Sequence, residues 1–273
     1  GRRPPVIATE LSKQLRRMRT WVSFAGLMAL PIIATVAQKL DHSEQQDPRG
    51  GAIFAFSKSS GFNNAFAALA FMSSFFLVIV VCSFAGESVA GEASWGTLRY
   101  LLLRPVGRLR LLGRKAIVIV LMTLIATLII SLTGLIAGTI AFGWHPLRLP
   151  PFVDLTQSRA LVRLGLATGF VVVNMLSIAA FALFLSVMTD SAGGAIGGAV
   201  AFAIASQILS GISALKWIRY GLPTHYWDSW QPWVFLRHYP AADMARSLVV
   251  TLAYVAVFGA LTMWRFRTKD ILS

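Results

Sequence analysis

Two carboxylates, Glu87 and Glu92, open a segment that runs through Gly96-Thr97, four leucines and Arg104-Pro105-Val106 to Arg108 and Lys115. Acids lie at its start and bases at its end, with an apolar stripe between them. Such side chains make ion pairs and bury leucine against a partner; they do not make or break bonds. The helical pattern of Val89, Ala93, Leu98, Leu101 and Leu102 stops at Pro105, and Val106-Gly107 turns the chain. Arg108 to Lys115 then reads as a second amphipathic piece, so 87–115 is expected to be a helix–turn–helix elbow that docks on another protein. A second group is aromatic. Trp227, Trp230 and Trp233 fall within 214–245, among Lys216, Trp217, Arg219, Tyr220, Tyr226, Phe235 and Tyr239. This segment is too aromatic for a free loop and too polar and Pro-broken for a membrane span. It reads as short helices dipping back into a lipid leaflet, where the three indoles would form an outer gate or anchor the chain at the lipid surface.

Other chemistries find no residues. His42, His145, His225 and His238 share no metal-ligand spacing, and a serine protease of the membrane would need a histidine within a span. Gly107-Arg-Leu-Arg-Leu-Leu-Gly113-Arg-Lys115 has the wrong spacing for a phosphate-cradling loop and lacks the following Ser or Thr. No catalytic residue, metal ligand or cofactor is expected in this chain. The single cysteine, Cys82, cannot form an intrachain disulfide.

The elements that must position these groups are membrane helices. Thr20–Gln38, Ser59–Gly86, Ala116–Trp144, Gly165–Thr189, Ser191–Leu215 and Ser247–Trp264 contain no Asp, Glu, Lys or Arg. Each is long enough to cross a hydrocarbon core of ~30 Å at ~1.5 Å per residue. With 56% apolar residues and a mean hydropathy of +0.67, the 273 residues leave little for a soluble domain, so 1–273 reads as one membrane domain. The net charge of +14 has a topological explanation. Basic residues cluster at Arg2–Arg19, Arg99–Lys115 and Arg265–Lys269, which places both termini and the second connection in the cytoplasm and excludes a nucleic-acid partner. Asp190 marks a tight hairpin between spans four and five. Trp21, Trp144 and Trp264 sit at span ends, where indoles meet lipid and water. The chain begins with Gly rather than Met, so a trimmed start or added residues are expected, and its basic start carries no signal-peptide core.

Within 6–20, Ile7, Leu11, Leu15 and Met18 share one helical face and Lys13, Arg16, Arg17 and Arg19 cover the rest, as in a helix lying on anionic lipid. Pro31 should kink span one. Thr123, Thr127, Ser131, Gly134 and Gly138 line one stripe of span three. Gly193, Gly194, Gly197 and Gly198 open span five with a pattern suited to close helix approach, within the chain or between subunits. Asn174 and Gln207 are the strongest mid-span polar groups. An ion-coupled carrier is disfavoured, because neither an intramembrane acid nor a broken midplane helix is visible.

The run Glu92-x-x-x-Gly96-Thr97-Leu98 … Leu102-Leu103-Arg104-Pro105-Val106-x-Arg108 … Leu111-Leu112-x-x-Lys115 resembles the cytoplasmic loop of ABC type-2 permeases, the membrane subunits of ATP-binding-cassette transporters, mostly exporters. Six spans, inward termini and an amphipathic first helix extend the resemblance over the whole chain. Trp95 departs from it, where the family more often has a charged or small residue. The resemblance implies an all-α fold with an interfacial N-terminal helix, a cytoplasmic coupling helix and re-entrant outer helices before the last span. It implies a multi-pass protein of the cell membrane. It also implies coupling through Glu92, Gly96, Thr97, Arg104, Pro105 and Arg108, with Glu87 as a second acid. Two copies of a separate ATPase would bind ATP and Mg, and a second permease, identical or homologous, would complete the pathway. A non-transporting assembly or sensor subunit of the same fold is the alternative.

Overall fold

Charge-free stretches of this length fold as helices because lipid offers no partner to a backbone N–H or C=O. The computed structural model describes residues 6–40, 56–94, 108–149, 153–235 and 240–268. Along the chain these form α1 (Val6–Leu15), α2 (Met18–Leu40), α3 (Gly61–Ser74), α4 (Phe76–Ser94), α5 (Arg108–Phe142), α6 (Gln157–Met188), α7 (Ala192–Gly211), α8 (Gln231–Phe235) and α9 (Ala241–Thr268). Between α5 and α6, β1 (Leu147–Leu149) pairs antiparallel with β2 (Val153–Leu155), Leu147 opposite Leu155. Apart from this pair, the regular elements among the described residues are helices. Among the described residues five helices, Met18–Leu40, Leu109–Phe142, Gln157–Met188, Ala192–Gly211 and Ala241–Thr268, are long and apolar enough to cross a membrane.

The remaining apolar stretch departs from the sequence reading. Instead of one continuous helix it forms α3 and α4, bent by 52° at a break at Phe75. Gln207 of α7 donates to the Ser74 carbonyl at 2.6 Å, satisfying a group that the end of α3 leaves without a helical partner. A broken apolar helix is therefore present, which the sequence reading did not expect. Pro31 is buried within a helix assigned continuously from Met18 to Leu40. The amphipathic piece Arg108 to Lys115 leads into span three as expected, since α5 runs unbroken from Arg108.

The stripe on α5 is a packing seam. A Cβ on Gly134 would meet the Ala68 Cβ at 2.9 Å, and one on Gly138 would meet the Asn64 Cβ at 2.6 Å, so only glycine admits α3 at this distance. Asn64 ties three helices together: its side-chain N–H groups reach the Gly134 carbonyl of α5 at 2.8 Å and the Thr35 hydroxyl of α2 at 3.0 Å. Asn174 makes the matching knot between α6 and α9, where Oδ1 accepts from Ser247 at 2.5 Å and Thr251 at 3.2 Å. On α7 the residues turned into the bundle are Ala195, Ala199, Ala203 and Ser206, whereas Gly193 and Gly197 face outward. Thr189 to Ser191 make the short hairpin between α6 and α7, and Ser191 caps α7 by accepting from the Gly194 N–H.

Candidate functional site

The acid-to-base segment is anchored where α1, α4 and α5 meet. Glu87 lies on the last turns of α4, with its side chain 11% exposed. Its Oε1 faces Arg17 at 3.0 Å and Arg19 at 2.5 Å. The two arginines come from the turn after α1 and the first turn of α2. The helix expected over 6–20 stops at Leu15 because the Arg17 N–H turns back to the Gln14 carbonyl and the Thr20 hydroxyl bonds the same carbonyl at 2.7 Å. This turn aims both guanidinium groups at Glu87. Met18, expected on the apolar face of that helix, starts α2 and is exposed. Leu11 and Leu15 pack against the bundle core, so part of the face read as lipid-facing is covered by the chain itself.

Lys115, on the first turns of α5, is buried; it donates to the Ser88 carbonyl of α4 at 2.6 Å and pairs with Glu10 of α1 at 3.3 Å. Burial opposes ionisation of Glu10, but Lys115 and Lys13 outweigh it and hold the carboxyl below its usual value of 4.5. One turn further along α4, the Val89 and Ala90 N–H groups reach the Ser186 hydroxyl of α6 at 3.0 and 2.9 Å. Side chains from α5 and α6 thus share the backbone bonding of α4 just before it enters the elbow. Lys115 ends the run singled out in the sequence, whereas Ser186 and Glu10 had no distinguishing sequence signal, since neither belongs to a motif.

Of the residues expected to meet a partner, Glu87 is the one whose side chain the structure describes, and its carboxylate is held by the chain's own arginines. Glu92 lies on α4 and Arg108 begins α5, without described side chains, whereas Gly96, Thr97, Arg104 and Pro105 lie outside the described residues. So do His42, His238 and Glu44.

The aromatic segment is built from 3₁₀ turns at Ser213–Leu215 and Ile218–Gly221, a run of turns, and the five-residue α8. Trp230 is fully buried, with its ring 6.3 Å from Phe66 of α3, and Trp227 is buried beside it. Trp233 is half-buried and stacks under the Arg163 guanidinium at 5.0 Å. The three indoles therefore do not form one surface. His225 is wedged between Tyr220 and Tyr226, and burial, aided by Arg219, lowers its pKa. A cleft of about 510 Å³ opens beside the helix break, lined by α2, α3 and Gln231 of α8, with Gln38, Asn64 and Ser74 as its polar groups. Among the described residues no cluster could hold a metal ion.

The uncharacterized protein YhcI of Bacillus subtilis (strain 168) is 26% identical over 196 residues, which is 67% of this chain and 61% of that protein. The chain thus spans less than two thirds of that relative's length. A family model covers nearly all of the bundle, from residue 32 to residue 272, and the chain belongs to that family, described as a protein of unknown function (DUF2705).

Proposed function

We propose that this chain is the permease subunit of an ABC exporter. In this reading the bent α3–α4 pair is the sixth span, both termini and the elbow are cytoplasmic, α1 lies at the cytoplasmic lipid surface, and the aromatic segment re-enters the outer leaflet of the cell membrane. The elbow would dock on a separate ATPase that carries ATP and Mg, one ATPase for each of two permease copies. The chain itself would not be an enzyme.

The observation that carries this reading is the junction beneath the elbow. Glu10, Glu87 and Lys115 tie α1 and the turn that follows it to both helices that flank residues 95–107, and Ser186 extends the tie to α6. A partner that displaced the elbow would move α1, α4, α5 and α6 together. Packed elements of this kind shift between discrete arrangements rather than bending continuously. Glu87 then acts as a relay within the chain, and Glu92 carries the contact with the ATPase. The outward-facing Gly193 and Gly197, where an added Cβ would meet at most a serine side-chain oxygen at 3.9 Å, favour a second permease copy against α7.

The test is co-expression with the ABC ATPases of the same organism. The purified chain alone should hydrolyse no ATP, and one ATPase should co-purify and be stimulated by it. ATP-driven transport into sealed vesicles separates the exporter from an assembly or sensor subunit, which would bind the ATPase but move nothing.

A further inference from the structure

At the start of α6 a cleft of about 330 Å³ is lined by Ser158, Arg159, Val162, Arg163, Leu166 and Trp233. Arg159 and Arg163 stand one helical turn apart and so lie on one face. Arg159 is exposed, whereas Arg163 is half-buried. Arg163 donates to the Trp233 carbonyl, at 3.3 Å, and lies over the Trp233 ring. This contact fixes the guanidinium at the rim of the cleft rather than leaving it to sweep through solvent.

The same face continues along the helix. Val162 and Leu166 are exposed, at 63% and 58%. Gly165 and Gly169 follow at the next turns, and an added Cβ at either would meet nothing within 4 Å. The helix surface beyond the arginines is therefore a shallow apolar track. It begins where the charge-free stretch begins, at Gly165, so the arginines lie at the boundary between lipid and water. We propose that this cleft binds an anionic phospholipid. Its phosphate would sit between Arg159 and Arg163, which match phosphate oxygens in a planar fork, and one acyl chain would lie along Val162, Leu166 and the glycine track. A neutral or zwitterionic lipid offers no net charge to two guanidinium groups. A soluble anion would have no use for the apolar track. The inference requires only that α6 spans a bilayer, not that the chain is a permease.

Head and tail are tested separately with the full chain in lipid nanodiscs, by measuring the lipids that remain bound after exchange into detergent. Wild type should retain phosphatidylglycerol over phosphatidylcholine by roughly tenfold, the scale of one good charge-assisted contact. Arg159→Gln with Arg163→Gln should bring that ratio close to one. Lys216→Gln with Arg219→Gln removes the same charge elsewhere and should leave it unchanged. Because Arg163 also holds Trp233, Arg159→Gln alone and the track-filling pair Gly165→Leu with Gly169→Leu provide variants whose sites have open space; each should lower retention. Inorganic phosphate should not compete. Equal retention by wild type and the arginine pair, equal retention of the two lipids by wild type, or displacement of phosphatidylglycerol by inorganic phosphate would each overturn the proposal.

Discussion

The charges at the α1–α4–α5 junction differ in how far they depend on one another. Glu87→Gln leaves Arg17 and Arg19 facing a neutral amide. Both arginines are partly exposed, at 34% and 46%, so the loss is screened and should be ~1–2 kcal/mol rather than the larger cost of a fully buried charge. The expected outcome is a lower melting temperature and faster proteolysis of the N-terminal segment, with the helical content retained. Glu10 adds a pH dependence. Its pKa is lower in the folded chain than in the unfolded one, so its contribution is present above the ordinary value of 4.5 and is lost as pH falls through the depressed value. The protection factors of the α1 amides should therefore fall on acidification below that range, and Glu10→Gln should abolish the difference. Within the bundle, Asn174→Leu removes both bonds accepted from α9. Interhelical hydrogen bonds in membranes average ~0.6 kcal/mol, so a loss of ~1 kcal/mol is expected in a reversible unfolding assay in detergent.

At the scale of helices, glycine positions that look alike in the sequence have opposite roles. Gly134→Val and Gly138→Val would push backbone and Asn64 away from the α3–α5 seam and should lower the melting temperature strongly. Gly197→Ala and Gly259→Ala, with nothing within 4 Å, should be silent in the isolated chain. Equal effects at both sets would contradict the packing described. The contrast also shows what the sequence could reveal. Charge-free length identified five spanning helices, because burying a charge in lipid is costly and leaves a long gap in the pattern. The small residues of α5 were legible as one stripe, and the structure shows that stripe to be a packing seam. The break at Phe75 was not legible, because no Pro or Gly marks it and the carbonyl it frees is satisfied by Gln207, far away in the chain. The pairing of Glu87 with Arg17 and Arg19 was not legible either, since it depends on a turn at Arg16–Arg17 inside a stretch with full helical periodicity. The three tryptophans were recognised as a group, but only the fold separates buried Trp230 from Trp233 at a cleft. Trp230→Ala would empty a fully buried site at ~3–5 kcal/mol and cannot report on a gate; Trp233→Ala is the informative variant.

For the whole molecule, the basic clusters make orientation a measurable property. In a Cys82→Ser background, a cysteine at exposed Trp217 should react with an impermeant thiol reagent applied outside intact cells, whereas one at Ser94 should be protected. The central claim is that the elbow after α4 passes the movement of an ATPase to this bundle. In the proposed function Glu92 carries the ATPase contact, and an interfacial charge pair can cost ~2–5 kcal/mol when broken. The decisive measurement is ATPase co-purification and ATP turnover with Glu92→Arg beside Glu44→Arg, which makes the same charge change in the first connection. Glu92→Arg should remain folded and membrane-inserted while losing most of the bound ATPase or its stimulation, and Glu44→Arg should behave as wild type. Equal behaviour of the two variants, or failure of any ABC ATPase of the organism to co-purify with the wild-type chain, would contradict the account.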